Sequence, residues 1–475
     1  MSSRDSHDGD CDDVALFNAF VHPISRGGSR RQQTPRAARG YLGVLECRAS
    51  MHLDFIQLLL ARLRMSAEML RDTSTAPGDD CTMKARPIRV GMLTYSFYEN
   101  DGRVKRYAET LASRGYHVDV ISLKKTGQPT FASIKGVAIH RIQERIGDEG
   151  GKLSYFLRIL RFFFHSAFFV SRLHFQRPYD LIHVHSLPDF EIFAAFLPKL
   201  FGSKLILDIH DIVPELYVSK FGAKSSGLLF KTLVKMEHRA CEFAHHVIIA
   251  NHIWEEKLLA RSVALNKCTT ILNYPDTAIF YPRKRTRIDD KFVMIYPGTL
   301  NWHQGLDVAI NAFATIANQY PQAELHIYGR GSELNHLKDL AKMRKLEHCV
   351  LFQPLVPIEE IAESMNKADL GIIPKRDDPF GGEAFSTKSL EFMSVGLPVV
   401  MSRTKIDSHY FNESVVRFFE PDDVESLAAA MSEMIDNEAM RKKLSENASK
   451  FVKDFSWERK QQVYLDIVDR LVRPS

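Results

Sequence analysis

Cysteine is scarce in this chain and nowhere spaced for work. Six occur in 475 residues, at positions 11, 47, 81, 241, 268 and 349, with no Cys-x-x-Cys among them. Neither a disulfide framework nor a zinc site is indicated, and a reducing cytoplasm is the expected compartment. No uninterrupted apolar run reaches the ~18 residues of a membrane-spanning helix. The first residues are acidic and polar and lack the apolar stretch of a secretory signal. A large charge excess is also missing: the net charge is +5 and the pI about 8.7, with many of the arginines in the first 90 residues. That balance does not argue for nucleic acid as a partner. After the first apolar strand there is no Gly-x-Gly-x-x-Gly, which argues against a dinucleotide-dependent dehydrogenase.

What is present is an ordinary globular composition, 45% hydrophobic and 25% charged, long enough for two or three domains. Residues 1–86 differ from the rest. A basic, breaker-rich stretch at 26–40 reads as disordered, and 51–70 could form one amphipathic helix. Met83 lies just before the regular pattern starts at about residue 86, so the extension reads as an over-extended translation start; peptides from residues 1–80 of the native protein would refute this. From residue 88 short apolar runs alternate with helical patterns, at 88–95, 117–122, 180–185, 204–210 and 245–250. The stretch 274–290, with two prolines and a basic cluster, reads as a linker. A second series follows at 292–297, 325–328, 350–353, 370–374 and 398–402. Alternation of this kind implies α/β architecture with parallel sheets covered on both faces. The expected units are 87–280, 288–455 and a last helix in 456–475 that returns to the first unit. Ligands of such sheets bind outside the carboxyl ends of the strands.

The densest chemistry lies in Phe380-Gly-Gly-Glu383-Ala-Phe385-Ser386-Thr387-Lys388-Ser-Leu-Glu391, which runs on through Gly396 and Pro398 into an apolar strand. It reads as loop, helix, turn, strand. Ser386 and Thr387 stand where a helix should begin, and such residues cap free backbone N–H groups. A helix N-terminus also draws anions, a pyrophosphate included. The dipole alone contributes only ~0.3–1 kcal/mol when exposed. A charge-assisted bond adds roughly 1.5–3 kcal/mol, and Lys388 is the candidate cation. Eight helical steps would set Glu383 and Glu391 about 12 Å apart. Paired glycosidase carboxylates sit roughly 5–9.5 Å apart, so the spacing suits a long ligand with hydroxyls at both ends better than a hydrolytic pair.

This segment resembles the E-x7-E region of family 4 glycosyltransferases, retaining enzymes of the GT-B fold, in which two doubly wound Rossmann-like domains face each other across a cleft. The likeness covers roughly residues 87–470. It implies that Glu383 meets the donor sugar, Glu391 the ribose, and Phe385, Ser386, Thr387 and Lys388 the donor around the helix start. Tyr296-Pro-Gly298-Thr-Leu-Asn-Trp-His-Gln304-Gly305 resembles the family's glycine turn beside the donor phosphates, but Gln304 stands where the family has Lys. Gly329-Arg330-Gly331 resembles its Gly-x-Gly turn, and Arg330 is a candidate to supply the missing charge. Leu355 and Val356 fall where the family holds the base. On the acceptor side, Asp101-Gly102-Arg103 follows the first strand, and Gly102 and Arg103 are the candidates. The strand ending in Asp208-Ile-His210-Asp211 resembles the place of a functional histidine. His210 is expected near the reacting sugar, with Asp211 orienting its ring. Of His183 and His185, which share one strand face, His185 is expected at the cleft and no metal is expected. Residues 156–175 are aromatic and basic, which fits either packing on the sheet or contact with an anionic membrane surface.

The resemblance implies a cytoplasmic glycosyltransferase that moves a sugar from a nucleotide-diphosphate donor, UDP-linked by preference and GDP-mannose as an option, to a sugar or lipid-linked sugar acceptor in polysaccharide or glycolipid synthesis, without a cofactor. Two other readings stay open. A nucleotide-sugar hydrolase or epimerase would turn over donor without acceptor dependence. A non-catalytic subunit would bind donor without turnover.

Overall fold

The computed structural model describes residues 86–145, 152–186, 188–221, 227–284 and 286–473. The basic stretch 26–40 and the amphipathic 51–70 lie outside the described residues. Eight strands form the first sheet: β1 Arg89–Thr94, β2 His117–Lys124, β3 Phe131–Ile134, β4 Val137–Glu144, β5 Leu181–Ser186, β6 Lys204–Ile209, β7 His246–Ile249 and β8 Cys268–Thr270. Their spatial order is β3-β4-β2-β1-β5-β6-β7-β8, all parallel except β3 against β4. That hairpin turns at Lys135 and Gly136, both with positive φ (48° and 81°), the backbone that a two-residue hairpin requires. The second sheet holds β9 Phe292–Pro297, β10 Ala323–Tyr328, β11 Val350–Gln353, β12 Leu370–Ile373, β13 Val399–Ser402 and β14 Arg417–Phe419. Its order is β11-β10-β9-β12-β13-β14, parallel throughout.

Each sheet reverses its strand order at one point, between β1 and β5 in the first and between β9 and β12 in the second. A crevice opens at such a switch point, outside the strand ends. The central strands β1, β5, β9 and β12 are buried along their whole length, as strands covered on both faces must be.

Five helices matter to the site. Helix α1, Gly102–Ser113, starts directly after the β1 loop and is capped by Asp101, whose carboxylate accepts from Val104 N. Helix α2 is Lys152–Gln176, α3 is His252–Arg261, α4 is Thr387–Ser394 and α5 is Trp457–Val472. Helix α5 lies back on the first unit. Trp457 Nε1 donates to Thr110 Oγ1 (2.8 Å), Tyr116 donates its hydroxyl proton to Asp469 (3.0 Å), and Arg114 pairs with Asp469 (2.6 Å).

The second unit is held near its crevice by a close approach of two loops. Gly329 has φ +139°, and a Cβ there would stand 1.8 Å from the Gly298 carbonyl oxygen. The Gly329-x-Gly331 turn thus packs closely against the Gly298 loop and seats it. Gly329→Ala should destabilise the protein by roughly 2–4 kcal/mol. A thermal melt that leaves the midpoint unchanged would refute this close contact.

Candidate active site

The two switch points face each other, and the loops that leave them enclose a cavity of about 360 Å³. That volume lies in the range of small-ligand sites, about 300–1,000 Å³. From the first unit come the β1 loop (Thr94 to Arg103), the β5 end (His185, Ser186), the β6 end (His210, Asp211) and the start of α3 (Asn251, Trp254). From the second come Thr299, His303 and Gln304 after β9, Lys375 after β12, and Phe380 to Lys388 into α4.

On the second-unit wall, Ser386 occupies the N-cap position of α4 but its side chain makes no capping bond, contrary to the sequence expectation. Its buried Oγ has no protein partner. Lys388 reaches back over the Tyr296 ring, 5.1 Å from its centroid. Its Nζ is 3.0 Å from where a Cβ on Gly298 would stand. Gly298 (φ +147°) therefore leaves room for an ammonium group at the turn. Gln304 Oε1 accepts from the Tyr296 hydroxyl (2.9 Å). Burial pushes the Lys388 ammonium below the ordinary lysine value and the neighbouring Glu391 carboxyl above the ordinary carboxylate value. Lys375, which the sequence did not single out, is buried in the same wall. Its Nζ pairs with Asp407 (3.0 Å) and donates to the Ala384 carbonyl (2.8 Å).

On the first-unit wall the centre is Asp208, fully buried on β6. Arg103 forks onto it, Nη2 to Oδ1 at 2.7 Å and Nε to Oδ2 at 2.8 Å. His210 Nε2 lies 3.0 Å and His185 Nδ1 3.1 Å from Oδ2. Burial opposes the Asp208 charge, yet Arg103 and His210 hold the carboxyl well below its usual range. Burial likewise opposes the His210 imidazolium, but Asp208 outweighs it and raises that pKa. The expectation that Asp211 orients His210 is corrected here. His210 directly follows β6, and Asp208, two residues back near the strand end, meets its ring instead. Asp211 instead lines the cavity, its carboxyl pushed up by burial to about 6.

Of the residues expected from sequence, Gly102, Arg103, His185, His210, Asp211, Phe385, Ser386, Thr387 and Lys388 line the cavity. The rest do not, and Gly298 acts there only through Lys388. Arg330 is exposed, and Leu355 and Val356 lie half-buried beyond β11. Glu383 stands at the junction of the units but is held by Lys257 of α3 and by Lys405 (3.1 Å). Glu391 sits one turn into α4, within electrostatic reach of Lys388 and Arg106. His183, His185 and Asp208 carry ligand atoms within 4.8 Å of one another. A cation there would face the guanidinium already forked onto Asp208, so this donor set suits a metal poorly. Besides Lys375, sequence reasoning missed Trp254, which stacks on Phe380 (centroids 5.7 Å apart). It also missed Asp208, whose signal was a lone acid inside an apolar strand.

Asp208→Asn should cost roughly 3–5 kcal/mol, because Arg103 is left buried and unpaired. Asp211→Asn should cost far less. Since the folded pKa of Asp208 is depressed, its contribution is complete above the ordinary carboxylate value and fades as pH falls through the folded one. The Asp208→Asn deficit should therefore hold near neutrality and narrow in acid. Equal melting midpoints for the two variants at pH 7 would count against Asp208 as the centre.

Residues 102–273 match the family model described as "Glycosyl transferase 4-like domain", and residues 279–451 that described as "Glycosyl transferases group 1". The mannosylfructose-phosphate synthase of Agrobacterium fabrum is 30% identical over 200 residues, 39% of this chain and 42% of that one. The chain spans less than half the length of this relative, and 20% to 43% of three other curated relatives. Among solved structures, a sucrose-phosphate synthase from Thermosynechococcus elongatus superposes with a TM-score of 0.67 at 19% identity, over 80% of this chain and 99% of that one. Anabaena HepE, solved with UDP and glucose, gives 0.61 at 18%, over 80% and 100%. At these identities the likeness speaks to the fold. With two sheets facing across one cavity and a family model on each half, the chain belongs to the GT-B glycosyltransferases.

Proposed function

We propose that the protein moves a sugar from a nucleoside-diphosphate sugar to an acceptor hydroxyl, with retention at the sugar carbon. The observation that carries the reading is the arrangement of Lys388, the free Ser386 hydroxyl and the start of α4 on one wall, opposite Arg103, Asp208 and His210 on the other. A diphosphate docks at a helix N-terminus beside a cation. The division proposed is a donor side in 288–455, an acceptor side in 87–280 and the returning helix in 456–475. The anomeric carbon then lies near His210. The bond from that carbon to the phosphate oxygen breaks, the acceptor oxygen bonds to the same carbon, and the acceptor proton leaves with the diphosphate. Donors preorganised toward the leaving group stabilise its charge, and the closed walls limit hydrolysis by excluding water. The reading calls on no metal, because Lys388 and the α4 amides meet the diphosphate charge. A UDP-linked donor is the first choice, as in Anabaena HepE solved with UDP-glucose.

A thermal-shift screen against UDP-, GDP- and ADP-sugars tests the donor class. Glu391→Ala should weaken donor binding and Glu383→Ala should lower turnover once Lys257 yields that carboxylate to the sugar. Wild-type transfer by both purified variants would defeat these roles.

A lipid-linked acceptor met at a membrane surface is the second reading. Among the described residues no helix is long and apolar enough to cross a membrane. On α2, however, Phe156, Leu157 and Phe164 are exposed beside the exposed Arg161, and nearby Phe196 and Leu200 are exposed too. Apolar side chains set among cations suit an anionic interface. The protein should sediment with anionic vesicles and not with neutral ones, and Phe164→Asp should release it. Equal recovery in the supernatant with both vesicle types would remove this reading.

A further inference from the structure

Helix α5 brings one side chain to the underside of the His210 wall. The Tyr464 hydroxyl lies 3.1 Å from His183 Nδ1. The His183 ring packs on His185 with centroids 4.1 Å apart and planes 31° apart. His185 Nδ1 in turn lies 3.1 Å from Asp208 Oδ2 and 3.3 Å from His210 Nε2. Tyr107 closes the stack, 4.3 Å from the Tyr464 ring and 5.1 Å from His183. We propose that Tyr464, carried by the returning helix, is a positioning residue for His210, acting through His183 and His185. The inference rests on the glycosyl-transfer reading only for its kinetic consequences.

Three buried groups, Tyr464, His183 and Asp208, set the direction of the hydrogen bond. Burial, then Tyr107 and Asp208, hold the Tyr464 phenol protonated far into alkali. Burial, then His185, hold His183 neutral well below its ordinary pKa. A neutral phenol can donate to a bare Nδ1 or accept from a protonated one, so the tautomer is decided at the other ring nitrogen, Nε2. That nitrogen faces Asp208 Oδ2 at 3.9 Å, so an N–H points toward a carboxylate. In the other tautomer a lone pair would face the same anionic oxygen. With the proton on Nε2, Nδ1 is bare and the Tyr464 phenol donates to it, which reinforces the tautomer that Asp208 favours. Tyr464 fixes the ring on which His185 lies and so the pair of imidazoles sharing Oδ2. The groups that set the potential there are Arg103 and Asp101 at the start of α1, His185 on β5, and Asp208 and His210 from β6 and its end. None of them replaces the Tyr464 hydroxyl at Nδ1.

The test is Tyr464→Phe, with Val463→Ala, on the exposed side of the same helix, as the control. Nitrogen-15 imidazole spectra of the full chain report the His183 tautomer without any need for turnover, the signal being assigned by its absence from H183Q. Wild type should show Nδ1 bare and Nε2 protonated, and Y464F should mix the two forms. With sugar transfer assayed, Y464F should lower kcat about three- to tenfold, the worth of one ordinary hydrogen bond. It should shift the acid limb of the kcat profile and leave the donor KM within about twofold, while V463A changes none of these. If Y464F folds poorly, site-specific 3-fluorotyrosine at 464, a stronger donor, should deepen the Nδ1 shift instead. An unchanged His183 tautomer and an unmoved pH profile in the variant would overturn the proposal and leave Tyr464 as packing alone. A mixed tautomer in a protein that transfers no sugar would sustain it and overturn the transfer reading instead.

Discussion

A carboxylate with no access to water must be met on every side, and Asp208 shows what that demand builds. Left alone in the interior it would shed its charge or unfold the strand that carries it. Arg103 supplies the compensating charge in a two-pronged geometry that fixes both groups. Because Arg103 opens α1, directly after the β1 loop, the same pair anchors that loop over the cavity. His185 and His210 then compete for Oδ2, which sets their ring planes. One acid therefore determines the start of a helix, the ends of two strands and the orientation of the imidazole nearest the cavity. Arg103 also donates to the Ile271 carbonyl (2.8 Å), which extends the tie past β8 to the chain leaving the first unit.

The second constraint lies where the two units meet. Asn251 caps α3 through its Oδ1 and uses its Nδ2 to reach the Glu383 carbonyl (3.1 Å). Ser219 donates to Asp378 (3.0 Å), and the His252 amide donates to the Tyr410 hydroxyl (3.1 Å). With the Lys257–Glu383 pair, these bonds clamp the loop before α4 against the first unit. Glu383 thus joins the two units: Lys257 of α3 holds one carboxylate oxygen and Lys405 the other. Ion pairs of this partly exposed kind contribute little on their own, so the clamp draws on the Asn251, Ser219 and His252 hydrogen bonds as well.

The alternation of apolar strands and amphipathic helices made both sheets legible, because a strand covered on two faces leaves little choice of residue. The β3–β4 hairpin was not read, since its strands are half exposed and its turn signal is a bare Lys135-Gly136. Asp211 was preferred over Asp208 because it adjoins the histidine in sequence. The true partner stands two residues back, near the end of β6. Ser386 stood at the helix start as expected, yet position alone did not say whether its hydroxyl would turn inward to cap or stay free. Arg330, Leu355 and Val356 were assigned by analogy of position. They are not in the lining of the cavity, and which loops reach it depends on strand order, which no short motif records. Lys375 could not be found because nothing near it in sequence marks it; Asp407, which holds it, is thirty-two residues away.

The absence of a lysine at 304 illustrates how one electrostatic requirement can be met from another element. The Tyr296 hydroxyl has two acceptors at 2.9 Å, Gln304 Oε1 and the Thr299 carbonyl, and they hold the ring on which the Lys388 ammonium rests. An ammonium group at 304 has no lone pair to offer that hydroxyl, and it would add a further positive charge to a wall that already holds Lys388 and Lys375. The neutral amide and the lysine of α4 are therefore complementary: one helps hold the ring, and the other uses it to bring its charge to the Gly298 turn. A lysine at 304 would gain charge but leave the Tyr296 hydroxyl to the Thr299 carbonyl alone. The cation at this turn thus depends on helix α4 keeping its place, which ties the charge at the Gly298 turn to the same loop that α3 clamps.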